Sequence, residues 1–117
     1  MRDVRKLVAV ILVPSAVAWA MPAHAQTEFN GAGQTSEIDC DGGTVMVEGA
    51  SNTLTIHGPC TGLTLTGAGN KIRIDLAPKS VIRIEGADNE IHWSAPGTAR
   101  PQVRVTGAGN RVTRRGQ

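Results

Sequence analysis

The most constraining feature of this chain is a ten-residue unit that returns at nearly constant spacing. "VEGASNTLTI" at 47–56 is followed by "LTGAGNKIRI" at 65–74, "IEGADNEIHW" at 84–93 and "VTGAGNRVTR" at 105–114. The units share a Gly-Ala-x-Asn motif, and a degenerate copy precedes them. Successive opening glycines are 18, 18, 19 and 21 residues apart, at Gly31, Gly49, Gly67, Gly86 and Gly107. This period predicts a repeat protein, in which each copy packs mainly against its neighbours.

Apolar residues alternate with polar ones on both sides of each motif glycine. Val45 and Val47 precede Gly49, and Leu54 and Ile56 follow it, with the same pattern in the later copies. A period of two with many β-branched residues predicts strands with one buried face, and no helical period is sustained after residue 25. The sequence therefore predicts an all-β domain.

Two architectures fit a repeat of strand, corner and strand. One is a small parallel β-solenoid of about five short coils, and the other is an antiparallel β-meander or sandwich with the glycines in hairpin turns. The asparagines repeat in register with the glycines, which favours the solenoid because stacked Asn side chains form hydrogen-bonded ladders. The predicted structural corners are Gly49 with Asn52, Gly67 with Asn70, Gly86 with Asn89, and Gly107 with Asn110.

Residues 1–25 have the form of a cleaved export signal. A basic start, "MRDVRK", is followed by an apolar run and ends in Ala23-His24-Ala25, which a signal peptidase accepts. Residues 26–117 are then a single repeat domain without a membrane-spanning segment, located in the periplasm or outside the cell. Cys40 and Cys60 are the only cysteines, and an even count in an exported chain predicts a disulfide.

Charge is unevenly distributed along the predicted mature domain. Every ionised side chain from 26 to 60 is acidic, whereas the chain from 61 onward is net basic. Acidic and basic residues balance over 26–117, so the composition gives no reason to expect nucleic-acid binding. A solenoid would carry this asymmetry from one end to the other, and its basic end is either an ordinary solvated surface, which we favour, or a surface that attracts anionic envelope polymers.

The Cys placement and the repeats together resemble a known family. The pattern runs from Cys40 through Val45–Ile56 to "HGPC" at 57–60, and three further Gly-Ala-x-Asn units follow. It is similar to the domain of unknown function 3060 family of exported bacterial proteins. The resemblance implies an exported domain of unassigned activity and supplies no catalytic residues.

Candidate functional residues are those that do not repeat. Stacking the coils places Arg83 beside Arg104, a pair able to hold an acid group of an anionic glycan. It also aligns His57 with Asp39 and Asp75, which is the alternative of a small enzyme or a metal-binding protein. His92, beside Trp93, is a further candidate for binding.

The Gly-Ala-x-Asn loops do not match the known ligand loops. No predicted helix follows them to bind phosphate, and only Asp88 stands where a calcium coil needs a regular Asp. We therefore expect no catalytic residue, no metal and no cofactor, and interpret the protein as a structural or binding module of the bacterial envelope. An envelope polysaccharide or protein is the expected type of partner.

Overall fold

A computed structural model describes residues 26–115, so the predicted export signal at 1–25 lies outside the described residues. The described chain is all-β, and every strand pairing is parallel. The prediction of a parallel solenoid of about five coils is thereby confirmed, and the antiparallel alternative is wrong. The strands are β1 Gln26–Ala32, β2 Thr35–Asp39, β3 Thr44–Ala50, β4 Thr53–Ala68, β5 Lys71–Ala87, β6 Glu90–Ser94, β7 Gln102–Thr106 and β8 Arg111–Arg114.

Each coil runs through two sheet faces joined by a corner, and a return segment then leads to the next coil. The first face stacks β1, β3, the second half of β4, the second half of β5, and β7. The second face stacks β2, the first halves of β4 and β5, β6 and β8. Strands β4 and β5 are long because each forms the second face of one coil and the first face of the next. We number the coils 1 to 5, covering 26–43, 44–61, 62–80, 81–101 and 102–115.

The unequal repeat spacing arises entirely in the return segments. From the start of the first face to the end of the second, every coil has the same length, at 26–39, 44–57, 62–75, 81–94 and 102–115. The return segments are 40–43, 58–61, 76–80 and 95–101, so they lengthen along the chain. The columns of stacked residues therefore stay in register while the connections vary.

The core consists of columns of inward side chains between the two faces. Leu54, Ile72 and Ile91 form one column on the second face, and Ile56, Ile74 and Trp93 form the next. All six are nearly inaccessible to solvent, and Val112 packs partly buried at the end of the first column. The first face contributes the equivalent columns from Val45, Val47, Leu63, Leu65, Ile82 and Ile84.

Three features define the corner of each coil: the motif glycine, a residue with left-handed backbone two positions later, and the side chain of the residue that follows. A Cβ on Gly49, Gly67, Gly86 or Gly107 would collide with the carbonyl oxygen of the motif glycine in the preceding coil. The residue before each ladder Asn, and before Gln34 at the same position of coil 1, adopts a left-handed conformation, with φ from 59° to 74°, at Gly33, Ser51, Gly69, Asp88 and Gly109. The Asn that follows then connects the coils through its side chain.

These asparagines form a buried ladder along the corner. Asn70 accepts hydrogen bonds at Oδ1 from both the backbone N–H and Nδ2 of Asn52, each at 3.0 Å. Its own Nδ2 donates to Asn89 Oδ1 and to the Gly49 carbonyl. The pattern repeats from Asn89 to Asn110, and in coil 1 the backbone N–H of Gln34 donates to Asn52.

A disulfide links coils 1 and 2. Cys40 and Cys60 are bonded, with their Cα atoms 5.6 Å apart and both residues fully buried. The bridge predicted from the cysteine count is confirmed. It connects the return segment of coil 1 to that of coil 2.

The last coil is only partly covered at its open end. Arg114 stands at an inward position and lies over Trp93, with its guanidinium carbon 5.0 Å from the ring centroid. It also donates to the carbonyls of Ala95 and Gly97, at 3.2 and 2.7 Å. On the other face the inward residues Val103 and Val105 are 43% and 46% exposed. The open end is therefore mixed, with an arginine on one face and exposed apolar residues on the other.

Candidate functional site

Two arginines lie side by side on the outer surface of the first face. Arg83 on β5 and Arg104 on β7 are register partners, and both are exposed. Parallel strands in register lie about 4.8 Å apart, so like charges at these positions repel unless a counter-charge is present. The ion pairs among residues 26–115 do not include either arginine.

Two shallow hollows meet beside Arg83 at Val81. One, of about 430 Å³, is lined by Lys79, Ser80, Val81, Arg100 and Gln102. The other, of about 340 Å³, is lined by Arg83 and Val81 with Thr44, Thr61, Gly62, Leu63 and Thr64. The described lining of both hollows contains cationic, neutral polar and small side chains but no carboxylate. We call Lys79, Arg83, Arg100 and Arg104 the basic patch.

Lys79 and Arg100 were not among the candidates from the sequence. Both lie in return segments, whose unequal lengths place them outside the repeating columns. Their only sequence signal is a positive charge two residues before the first face of the next coil. Ser80, between Lys79 and Val81, is 2% exposed, and its hydroxyl has no hydrogen-bond partner among the described residues.

His57 is not held between the two aspartates aligned with it in the sequence. It pairs in register with Asp39, but the register between β4 and β5 shifts after Ile56. Its Nε2 instead lies 3.4 Å from Glu37 Oε1, and both side chains are at least half exposed. Asp39 accepts a hydrogen bond from the backbone N–H of Asp41 at 2.9 Å, as a turn cap does.

Asp75 belongs to a different cluster, with Ser94 and Arg115. Its Oδ1 accepts from Ser94 Oγ at 2.8 Å and from an Arg115 Nη atom at 2.7 Å. Burial by itself raises the pKa of Asp75. The hydrogen bonds from Ser94 and Arg115, the charge of Arg115 and the Gly58 backbone outweigh burial, so the pKa lies below its ordinary value. Asp39, His57 and Asp75 therefore have no side-chain partner in common.

His92 lies on the outer surface of the second face within a network of its own. Its Nε2 is 3.2 Å from Glu90 Oε2, and its Nδ1 is 3.0 Å from Thr113 Oγ1. Glu90 and His92 border a depression of about 440 Å³ whose lining also includes Lys71 and Arg73. The surface there has mixed charge, in contrast with the basic patch on the first face.

Within residues 26–115, no three His, Cys, Asp or Glu side chains are grouped closely enough to hold a metal ion. The same residues include no helix with the length and apolar character needed to cross a bilayer.

Residues 47–103, which include the middle three motif corners and Cys60, match the model of a protein family of unknown function, DUF3060. This segment of the repeat domain is similar to DUF3060. The match spans coils 2 to 4 and ends in coil 5, so the DUF3060 segment contains Arg83 and most of the basic patch. No curated protein and no solved structure matches the chain.

Proposed function

We propose that this protein is an exported, non-catalytic binding module whose basic patch holds acid groups of envelope polysaccharides. The observation that carries the proposal is the in-register pair of exposed arginines, Arg83 and Arg104, on adjacent coils. A carboxylate or sulfate between them replaces their repulsion with charge-assisted hydrogen bonds to two planar guanidinium groups. A single small anion can pair with these two arginines but leaves the rest of the basic patch unoccupied.

A polymer with regularly spaced acid groups fits the surroundings better than a single anion. Lys79 and Arg100 border the hollow next to Arg83, so positive charge continues from the first face onto the return segments. The hollows are open and shallow, which suits a chain lying across the surface. Neutral polar side chains in their lining, including Thr64 and Gln102, provide hydrogen bonds to sugar hydroxyls.

Export to the envelope is supported by two independent features. The start of the chain has the three regions of a signal peptide, and the buried Cys40–Cys60 disulfide is typical of proteins that fold in oxidising compartments. The non-catalytic assignment is supported by the separate partners of Asp39, His57 and Asp75.

The binding function is tested with polygalacturonate as the acidic polymer and dextran as the neutral one. We expect the protein to bind polygalacturonate at low salt and to release it as the salt concentration rises, because the contacts are electrostatic. Arg83→Gln and Arg104→Gln should each weaken binding by about tenfold, which is the loss of one charge-assisted contact.

Arg73→Gln is the matched control, since Arg73 is an exposed arginine on the second face next to Glu90 and His92. It should leave binding unchanged. Equal losses in the Arg73 and Arg83 variants would mean that only net charge matters, and the assignment to the basic patch would be wrong. Equal binding of dextran and polygalacturonate would exclude acid groups as the recognised feature.

A further inference from the structure

We propose that copies of this chain associate head to tail, with coil 5 of one copy pairing with coil 1 of the next. The two parallel sheets would then continue from one molecule into another. This inference goes beyond polysaccharide binding and uses the ends of the solenoid. It applies to the chain after removal of the predicted export signal, which leaves β1 as the first strand.

Coil 5 leaves an edge that is open and apolar on the first face. Among the described strands, β7 pairs only with β5 and β8 only with β6, so each has one edge that no described strand covers. Val103 and Val105 occupy inward positions but remain 43% and 46% exposed. Equivalent residues in the preceding coil, Ile82 and Ile84, are fully covered by coil 5. One further coil would cover the valines in the same way.

Coil 1 has the complementary shape at the other end. Within residues 26–115, β1 pairs only with β3, and β2 pairs only with β4. Phe29 and Ile38 stand at inward positions and are only partly buried among the described residues. If the columns continue between copies, Phe29 of the next molecule stacks on Val105, in the same relation that Ile84 has to Leu65.

Charge distinguishes the two ends and sets their orientation. Coil 1 carries acidic side chains and no Lys or Arg, with Glu28, Glu37, Asp39 and Asp41. Coil 5 carries Arg104, Arg111, Arg114 and Arg115 and no acidic residue. Continued columns place Glu28 next to Arg104 and Asp39 next to Arg115, whereas joining two like ends would bring like charges together. The charge distribution therefore favours head-to-tail association over the joining of two like ends.

Gly31 provides an independent steric argument. In coils 2 to 5 the motif glycine is required because the carbonyl of the glycine in the preceding coil would collide with a Cβ. No coil precedes coil 1 among the described residues, and the atoms nearest a Cβ on Gly31 are side-chain atoms of Gln34 and Phe29, at 2.8 and 3.2 Å. A glycine there is needed if the Gly107 carbonyl of another copy packs against it. Gln34 then stands at the ladder position above Asn110.

The association is tested on protein purified after export from cells that express the full chain. We expect sedimentation velocity at increasing protein concentration to show a series of species, favoured by low salt. Small-angle scattering should show particles that lengthen by about 24 Å per added copy, five coils at about 4.8 Å each. Protein that remains monomeric at every concentration, or that stops at a symmetric dimer, would overturn the proposal.

Two variants block one end each. Val105→Arg places a charge on the open apolar edge of coil 5, and Glu28→Arg reverses a charge on coil 1; both residues are exposed. Each variant alone should be monomeric, but a mixture should form a one-to-one heterodimer, because each supplies the end that the other lacks. Self-association of either variant at the wild-type level would contradict the model.

A charge swap separates this interface from a folding defect. The chain carrying both Glu28→Arg and Arg104→Glu should recover association, since the pair is restored with its signs exchanged. Failure of the swap to recover, with an unchanged melting temperature, would remove Glu28 and Arg104 from the interface and overturn the proposed register. Arg83→Gln should leave association unchanged, so a failure of polysaccharide binding is distinguishable from a failure of stacking.

Discussion

At the scale of the residue, the corner position before each Asn is set by its left-handed backbone. Glycine occupies it in coils 3 and 5, and Gly33 precedes Gln34 at the matching position of coil 1, but Ser51 and Asp88 hold φ values of 59° in coils 2 and 4. A residue with a Cβ is strained in this region, whereas glycine enters it freely. The sequence pattern leaves this position variable, and the structure shows that the variation has an energetic consequence.

Exchanging residues between two equivalent corners measures that consequence. Ser51→Gly should raise the free energy of unfolding by about 1 kcal/mol, and Gly69→Ser should lower it by a similar amount. A Cβ on Gly69 would meet Ser51 Oγ at 3.5 Å, an ordinary contact, so the backbone conformation dominates the effect. Urea denaturation of both variants checks the prediction, and effects of the same sign would contradict it.

Asp75 makes the stability of the fold depend on pH. Because its folded pKa is lowered, its stabilising effect is present above the unfolded pKa of about 4 and is lost as the pH falls through the folded value. The difference in melting temperature between wild type and Asp75→Asn should therefore shrink as the pH is lowered from 7 to 2. Glu48→Gln, at an exposed first-face position, serves as the control. A difference that stays constant with pH would exclude this role of Asp75.

At the scale of the element, the sheets and the Asn ladder were predictable because they follow the period of the sequence. Alternation identified the inward residues, and the repeated motif put them in columns. Features outside the period were not predictable. The register shift after Ile56 separates His57 from Asp75, and return segments of unequal length bring Lys79 and Arg100 to the hollows. Val105 is exposed because no described strand lies beyond β7, and its own sequence context does not reveal this.

The ladder is expected to act as one cooperative element. Asn70→Ala removes the acceptor for both the backbone and the side chain of Asn52, and it leaves the Gly49 carbonyl without its side-chain donor. Buried groups without partners should lower the free energy of unfolding by about 2 to 4 kcal/mol. Asn30→Ala, at an exposed position on β1, is the control and should have little effect on thermal or urea unfolding. Equal effects would mean that the ladder adds nothing to stability.

At the scale of the whole molecule, stability should be uneven along the stack. The disulfide closes a sequence separation of 20 residues between coils 1 and 2, which corresponds to about 3 kcal/mol through the unfolded chain. Replacing Cys40 and Cys60 by Ala should lower stability by about that amount and should increase amide hydrogen exchange first in coils 1 and 2. Exchange that rises uniformly in all coils would show that the solenoid unfolds as a single unit.

The return segments are the places where the protein can accept inserted residues. All variation in repeat length is confined to them, and the last of them, 95–101, is already longer than the others without disturbing the register of β6, β7 and β8. New residues inserted near Gly97 should extend a loop on one side of the molecule while the columns on both faces remain aligned. The protein can therefore acquire a recognition loop, by evolution or by engineering, without redesign of its core.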